Sequence, residues 1–364
     1  MSALAKEHNA INLSQGFPDF DCDPLLPELV HKHMLSGLNQ YPPMRGVQPL
    51  LEGIAEKYNA LHGISIDPET EVTVTVGAVE GVFSAVAALV RSGDEVIIIE
   101  PAFDLYIPAT LVNGGVPVVY TLKAPDFEID WQAIRDLVTE KTKLIIVNTP
   151  HNPIGKVMTR SDFEELEKLV QETGIYVISD EVYEHLVFDH RKHVSLLEFP
   201  GLYERGFAVF SFGKTYHITG WRVGYCIAPR ALTEEFRKVH QFTVFTVSTP
   251  LQHALSDYMQ DSSKYLALGK FFERKRDLLQ RALQASRFRP LESEGSYFQI
   301  YDYSEISDSQ DLDFVKRLTH EHGVASIPMS VFYTNPDPKE RLIRLCFAKK
   351  DETLEAAAMR LCKV

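Results

Sequence analysis

Between residues 71 and 229 the apolar residues come in short, unbroken runs: "EVTVTV", "DEVIIIEP", "VPVVYTL", "KLIIVNTP", "GIYVISDE", "FAVFSF" and "VGYCIAP". A strand with one wet face alternates apolar and polar residues, whereas a strand covered on both faces does not. The runs therefore predict the buried strands of an α/β sheet. Helical patterns lie between them, as in "EGVFSAVAALV" after the first run. Past about residue 250 the pattern changes. Amphipathic helices over "LQHALSDYMQ" and "YLALGKFFERKRDLLQRALQ" precede shorter strands in "SYFQIY", "VASIP" and "RLIRLCFA". That order predicts a second, α+β domain. The early segment "AINLSQGFPDF" reads as extended, with no local pairing partner.

Composition narrows the function classes. A chain of 364 residues can bury a large core or fold as about two domains. A net charge of −13 disfavours a nucleic-acid binder, which needs a basic face. Runs such as "VFSAVAALV" fall far short of the ~20 apolar residues that span a bilayer, so no membrane role is expected. The start "MSALAKEHNA" has no apolar signal-peptide core. Cys22, Cys226, Cys346 and Cys362 form no close pair, so no disulfide framework or metal site is read, and a reduced, cytoplasmic protein is expected.

The stretch "SFGKTYHITGWRVGY" contains Gly213-Lys214-Thr215, which could close a phosphate-binding P-loop. That loop needs a glycine five positions earlier, where this chain has Ala208 within an apolar strand. Lys214 is then either an ordinary surface lysine or a nucleophile. Ligands of open α/β sheets bind beyond the carboxyl ends of the strands, so the residues standing there matter most. Gly77-Ala78-Val79 opens a helix, and reads equally as a tight turn or an anion-binding terminus. Asn152 lies in the turn "TPHNPIG" after "KLIIVN". Asp180 ends "YVISD", with Tyr183 following; the acid either caps a helix or needs a cation or hydrogen bonds in its buried place. Ser211, Lys214 and Arg222 follow "FAVF". Together these residues supply a lysine nucleophile, a buried acid, a phenol, an amide and a phosphate cup. Pyridoxal phosphate needs that set.

The motifs "NTPHNPIGKV", "ISDEVYEHLVF" and "SFGKTYHITGWRVGY" give the chain a close resemblance, over nearly its whole length, to the fold-type-I, class I/II pyridoxal-phosphate aminotransferases. The fuller pattern, with "INLSQGFPDF", "NQYPPMRG", "VFTVSTP" and "IRLCFAKK", is most similar to the bacterial methionine aminotransferases of the kynurenine/glutamine aminotransferase branch. The resemblance implies the aspartate aminotransferase-like fold. Its large α/β domain, residues 36–254, carries a mostly parallel seven-stranded sheet. A smaller α+β domain takes residues 1–35 and 255–364. The implied cofactor is pyridoxal 5′-phosphate, with no metal.

The resemblance also implies roles. Lys214 carries the cofactor and shuttles the proton between Cα and C4′. Asp180 keeps the pyridine nitrogen protonated. Asn152 and Tyr183 hydrogen-bond the phenolic oxygen, Tyr183 as part of the catalytic set. Ser211, Arg222 and the turn at Gly77, Ala78 and Val79 hold the phosphate, and Phe103 stacks on the ring. Arg344 clamps the substrate carboxylate. Its position amid the apolar residues of "RLIRLCFA" supports an anion partner independently, the alternative being an internal Arg–Asp or Arg–Glu pair. Gly16, Phe17, Asn152 and Phe245 are expected to line the substrate pocket, although each phenylalanine reads equally as core packing. Tyr41 is expected on the phosphate of a neighbouring subunit, with Phe245 reaching the same site, in a homodimer with shared active sites. Locally, Tyr41 reads equally as a loop anchor. Two departures stand out. Val79 occupies a position where relatives often have tyrosine, and relatives commonly carry a longer lead before "INLSQGFP", consistent with a shortened or variant start here.

The expected reaction moves an amino group between an L-amino acid and a 2-oxo acid. Methionine or an aromatic amino acid is the expected donor, with glutamine also possible. The alternatives are a β-lyase acting on cysteine S-conjugates or cystathionine, and a non-catalytic pyridoxal-phosphate regulator. The second usually carries an added DNA-binding domain, for which this chain has neither room nor a basic segment.

Overall fold

The structure is a computed structural model that describes residues 1–364. After a short helix, Ser2–Glu7, comes strand β1 (Ile11–Asn12). The next strands are β2 (Val72–Thr75), β3 (Glu95–Glu100), β4 (Val116–Thr121), β5 (Thr142–Asn148), β6 (Tyr176–Asp180), β7 (Gly206–Ser211) and β8 (Gly224–Ile227). The C-terminal part adds β9 (Arg289–Pro290), β10 (Phe298–Asp302), β11 (Val324–Ala325), β12 (Ile327–Pro328) and β13 (Leu342–Cys346).

Strands β2 to β8 form the seven-stranded sheet, in the order β2-β8-β7-β6-β5-β3-β4. Only β8 runs antiparallel to its neighbours. The unbroken apolar runs have the expected cause, burial on both faces. Val96 and Ile98 of β3 enter the core under helices Gly77–Leu89 and Arg230–Thr243, with Phe236. Ile97 and Ile99 enter the larger core on the opposite face. β4 is the exception: it is an edge strand and only half-buried, with Val116 exposed.

The smaller sheet, β12-β13-β10-β9, is antiparallel and lies within residues 289–346. The partner of the N-terminal segment is distant in sequence. β1 pairs in parallel with β11, and the Leu13 carbonyl accepts from the Cys346 amide at 2.8 Å. This pairing carries Gly16 to the strand ends of the large sheet. One sequence expectation needs correction. The helix read across 265–284 is two helices, Ser263–Leu266 and Leu268–Ala282, meeting at Ala267. The bend brings the backbone at Gly269 so close to the Val187 carbonyl that a Cβ there would lie 3.0 Å from the oxygen.

A buried ion pair ties the helix Gln48–His62 to the loop after β6. The Lys57 ammonium donates to Glu184 Oε1 at 2.6 Å and to the Tyr225 hydroxyl at 2.9 Å. Tyr58 donates to Glu184 Oε2 at 2.9 Å. Burial pushes the Glu184 carboxyl up, but the Lys57 ammonium prevails and holds it at about 2. The carboxylate is therefore charged in the fold well below its ordinary range. The stability this adds is complete above about pH 4.5 and is lost as the pH falls toward 2. Lys57→Met, which leaves the Glu184 carboxylate buried and unpaired, is expected to cost about 3–5 kcal/mol in urea unfolding at pH 7. Adding Glu184→Leu should recover much of that loss and flatten the acid side of the stability curve. Equal losses in the single and double variants would contradict the pairing.

Candidate active site

β7 ends at Ser211, and a single helical turn, Phe212–Thr215, carries Lys214. The Lys214 amine donates to the Gly16 carbonyl at 3.2 Å and to the Tyr297 hydroxyl at 3.0 Å. Tyr297 in turn donates to the Gly16 carbonyl at 2.5 Å. No carboxylate forms an ion pair with Lys214. Burial lowers its pKa to about 8, so a sizeable fraction is the neutral amine near physiological pH.

Asp180 is the last residue of β6 and is buried. Its carboxylate accepts from the Tyr106 hydroxyl at 2.7 Å and from the Val182 amide at 3.4 Å. No cation of the chain pairs with it, and burial pushes its pKa up to about 6. A positive partner placed beside it would bring that value down. Asn148, paired in register with Asp180, donates to the Asp180 carbonyl at 2.8 Å and accepts from the Asn152 amide at 2.8 Å. Asn148 thereby holds the turn that carries Asn152 beside the end of β6.

Opposite this group, β13 projects Arg344. Its Nη1 donates to Asn152 Oδ1 at 2.6 Å and its Nη2 to the Ser14 carbonyl at 3.2 Å. The guanidinium lies 3.9 Å from the Phe298 ring centre and 4.8 Å from that of Phe332. Its Nε is buried without a partner. The alternative of an internal carboxylate pair is not realised. A buried guanidinium with a free donor and no counter-ion is chemically suited to a carboxylate.

A third group surrounds the start of the helix Gly77–Leu89. Gly77 has φ of +70°, and a Cβ there would lie 2.5 Å from Arg222 Nη2. At Gly224 a Cβ would lie 2.9 Å from the Ala78 nitrogen. The two glycines let the Arg222 guanidinium and the first amides of the helix approach one another, which suits a phosphate. Ala78, Val79, Phe103, Asn152, Asp180, Tyr183, Ser211, Lys214 and Arg222 all line a single cavity. Gly16 and Arg344 join it through their contacts with Lys214 and Asn152. Phe17 is partly exposed, with the Lys349 ammonium 5.0 Å from its ring centre. Tyr41 and Phe245 do not line this cavity. They stack edge-to-face on each other at 5.4 Å, with Tyr41 83% exposed.

Sequence reading passed over Tyr106, Asn148 and Tyr297. Tyr106 follows Phe103 by three residues at the start of the helix Tyr106–Val112, a weak local signal. Tyr297 comes from the turn just before β10, beyond the large sheet, and nothing local marks it.

Because only the neutral amine reacts, competitive acetylation of the cofactor-free protein should show Lys214 reactivity rising through about pH 8. Surface lysines should rise near ~10.4. Tyr297→Phe removes an acceptor for the ammonium and should move the Lys214 midpoint below 8. An upward move, or none, would contradict the contact.

The aminotransferase class I and II family matches residues 8–361. The chain is 51% identical to the methionine aminotransferase of Escherichia coli over 362 residues, 99% of this chain and 94% of that one. It is 37% identical to human kynurenine–oxoglutarate transaminase 1 over 395 residues, 99% and 93% of the two chains. A solved Escherichia coli structure described as having a methionine aminotransferase function superposes with a TM-score of 0.98 at 51% identity, covering 100% of this chain and 95% of that one. The N-succinyldiaminopimelate aminotransferase of Mycobacterium tuberculosis superposes with a TM-score of 0.95 at 38% identity, covering 100% and 95%. The family match over nearly the whole chain, the relatives at 37–51% identity and the shared α/β fold place the chain in the class I and II aminotransferases.

Proposed function

We propose that this aminotransferase binds pyridoxal 5′-phosphate in the cavity around Lys214 and transfers the amino group of L-methionine or an aromatic L-amino acid to a 2-oxo acid. Arg344 is the observation that carries the reading. It is a buried guanidinium without a counter-ion, sharing Asn152 with the cavity that holds Lys214 and Asp180. The donor set fits the cofactor. Arg222, Ser211 and the amides of Ala78 and Val79 would hold the phosphate, and Phe103 would lie against the ring. Asn152 and Tyr183 would bond its phenolic oxygen, Asp180 its ring nitrogen, and Lys214 would attach it.

The cofactor, when bound, supplies an electron sink that makes the substrate's Cα proton removable and carries the amino group from donor to acceptor. The remaining work falls to the chain. Arg344 takes the α-carboxylate in its planar fork and fixes how Cα is presented. Lys214, whose charged form burial disfavours, accepts the Cα proton and returns it. Tyr297 and Gly16 give its amine a resting place between proton transfers. Asp180, held by Tyr106, keeps a negative charge at the ring nitrogen. Phe298 and Phe332 offer apolar surface near Arg344, which suits an apolar side chain, and the similarity to a methionine aminotransferase points the same way. No observation favours the β-lyase alternative.

The proposal includes a homodimer. Tyr41 and Phe245 are aromatic, exposed and turned toward each other rather than into their own cavity, as residues serving a neighbouring subunit's site would be. A cytoplasmic setting belongs to the same proposal, supported by four unpaired cysteines. No helix of the chain is long and apolar enough to cross a membrane.

The purified protein should be yellow, and borohydride should fix the chromophore to Lys214. In a panel of amino acids against one oxo acid, methionine and the aromatic residues should lead, and amines lacking a carboxylate should not react. An adduct on another lysine would sink the cofactor assignment, and an acidic amino acid in the lead would sink the specificity. Release of pyruvate from cysteine S-conjugates at the faster rate would establish the lyase instead.

Subunit exchange tests the shared site. Lys214→Ala and Tyr41→Ala chains, each nearly inactive, should regain activity on mixing, because one site of the mixed dimer then combines both intact residues. No recovery in demonstrated mixed dimers would place Tyr41 elsewhere.

A further inference from the structure

The loop that follows β12 bears on Arg344 twice. Ile327 of β12 pairs in register with Arg344, and the chain then turns back to lay the Phe332 ring 4.8 Å from the guanidinium. Met329–Phe332 is a single short helical turn, which by itself fixes little. A nearly buried carboxylate holds the loop on each side of Phe332. Two residues before it, the Ser330 amide and hydroxyl donate to Asp311 at 2.7 and 2.9 Å. Two residues after it, the Thr334 amide and hydroxyl both donate to Glu100 Oε1, at 2.9 and 2.6 Å. The Phe332 carbonyl itself accepts from the Ala102 amide at 2.9 Å.

The two carboxylates belong to different parts of the chain. Asp311 opens the helix Asp311–Glu321, in the same C-terminal region as the loop. Glu100 is the last residue of β3 in the large sheet, paired in register with Thr121 of β4, and is only 2% exposed. No cation of the chain pairs with it, and a carboxylate so placed is costly unless hydrogen bonds meet it. Thr334 supplies two. A strand end is a fixed post, so these bonds pass the position of the large sheet to the loop that bears Phe332. Phe103, next to Ala102, lines the cavity of Lys214 and Asp180.

We propose, on the reading that Arg344 receives the α-carboxylate, that Glu100 is a positioning residue for substrate recognition. By holding Thr334 it keeps the Phe332 ring on Arg344, and so sets the plane in which the fork meets a carboxylate. A guanidinium is flat and stacks on aromatic faces, so a ring fixed beside it limits its rotation. Bidentate bonding depends on that plane, which makes the loop a determinant of how tightly amino acids and 2-oxo acids are held.

The probe is 3-phenylpropionate, an unreactive carboxylate, measured as a competitive inhibitor of the cofactor-loaded enzyme. Thr334→Val removes the hydroxyl donor at an exposed position. It should raise the inhibition constant, and the KM for amino acid and 2-oxo acid alike, about tenfold, the size of one hydrogen bond to a charged group. Cofactor affinity, Tm and kcat should change little. Thr334→Ser keeps the hydroxyl and should keep the KM. Glu100→Gln keeps the shape without the charge and should raise the KM by a smaller factor. The double variant, Glu100→Gln with Thr334→Val, should fall short of the product of the two, because both act on one contact. An inhibition constant unmoved by Arg344→Lys overturns the carboxylate reading and the proposal together. Where Arg344→Lys does weaken inhibition, the proposal alone is overturned by any of four results: Thr334→Val leaves KM and inhibition unchanged, Thr334→Ser loses as much as Thr334→Val, the two single effects multiply in full, or kcat and cofactor affinity fall in step with the rise in KM.

Discussion

The parallel register of β5, β6 and β7 is the constraint on which the rest depends. Asn148 lies opposite Asp180, and Asp180 opposite Val209, two residues before Ser211. Those pairings bring the ends of the three strands to a common edge. An amide, a carboxylate, a hydroxyl and, one helical turn on, an amine then stand side by side without any loop having to search for its place. A slip of one residue in β6 would turn Asp180 to the opposite face of the sheet. The near-complete burial of these strands makes such a slip expensive, because each face carries its own apolar set.

The segment after β6 is divided between two tasks. Asp180 and Tyr183 line the cavity, while Glu181 and Glu184 point into the interior. Glu181 bonds the Ser179 hydroxyl at 2.8 Å, the His193 ring at 2.8 Å and the Leu196 amide at 3.0 Å. Glu184 is held by Lys57, Tyr58 and Tyr225. Groups that could never be left unpaired in a core fasten this segment from behind. The carboxylate on the cavity side can therefore keep an uncomfortable position, with its pKa pushed up to about 6.

Much of this was legible in the sequence because strands buried on both faces write continuous apolar runs, and the residues after them stand at the open edge. That logic alone singled out Asp180, Asn152, Ser211 and Lys214. It also marked Arg344 as a charge in want of an anion. The parts it could not reach are those made by distance in the chain. Tyr297 meets Lys214 across 83 positions, and Tyr106 meets Asp180 across 74. Tyr297 has no local signal at all, and the weak one at Tyr106, its place just after Phe103 at a helix start, does not say that its hydroxyl will find a titratable partner. The bend at Ala267 escaped for a related reason, since helical periodicity continues through it and only the close approach of Gly269 to the Val187 carbonyl requires it.

The pairing of β1 with β11, and of Leu13 with Cys346, closes the site with the two ends of the chain. Lys214 leans on the carbonyl of Gly16, and Arg344 on that of Ser14. During synthesis the N-terminal residues emerge first, but the strands that receive them emerge almost last. At about 5–20 residues per second, on the order of tens of seconds separate the two events. Over that interval the large sheet can form while residues 11–17 have nowhere to dock. The catalytic cavity is therefore a late product of folding on the ribosome, completed only when the final strands reach back to gather the beginning of the chain.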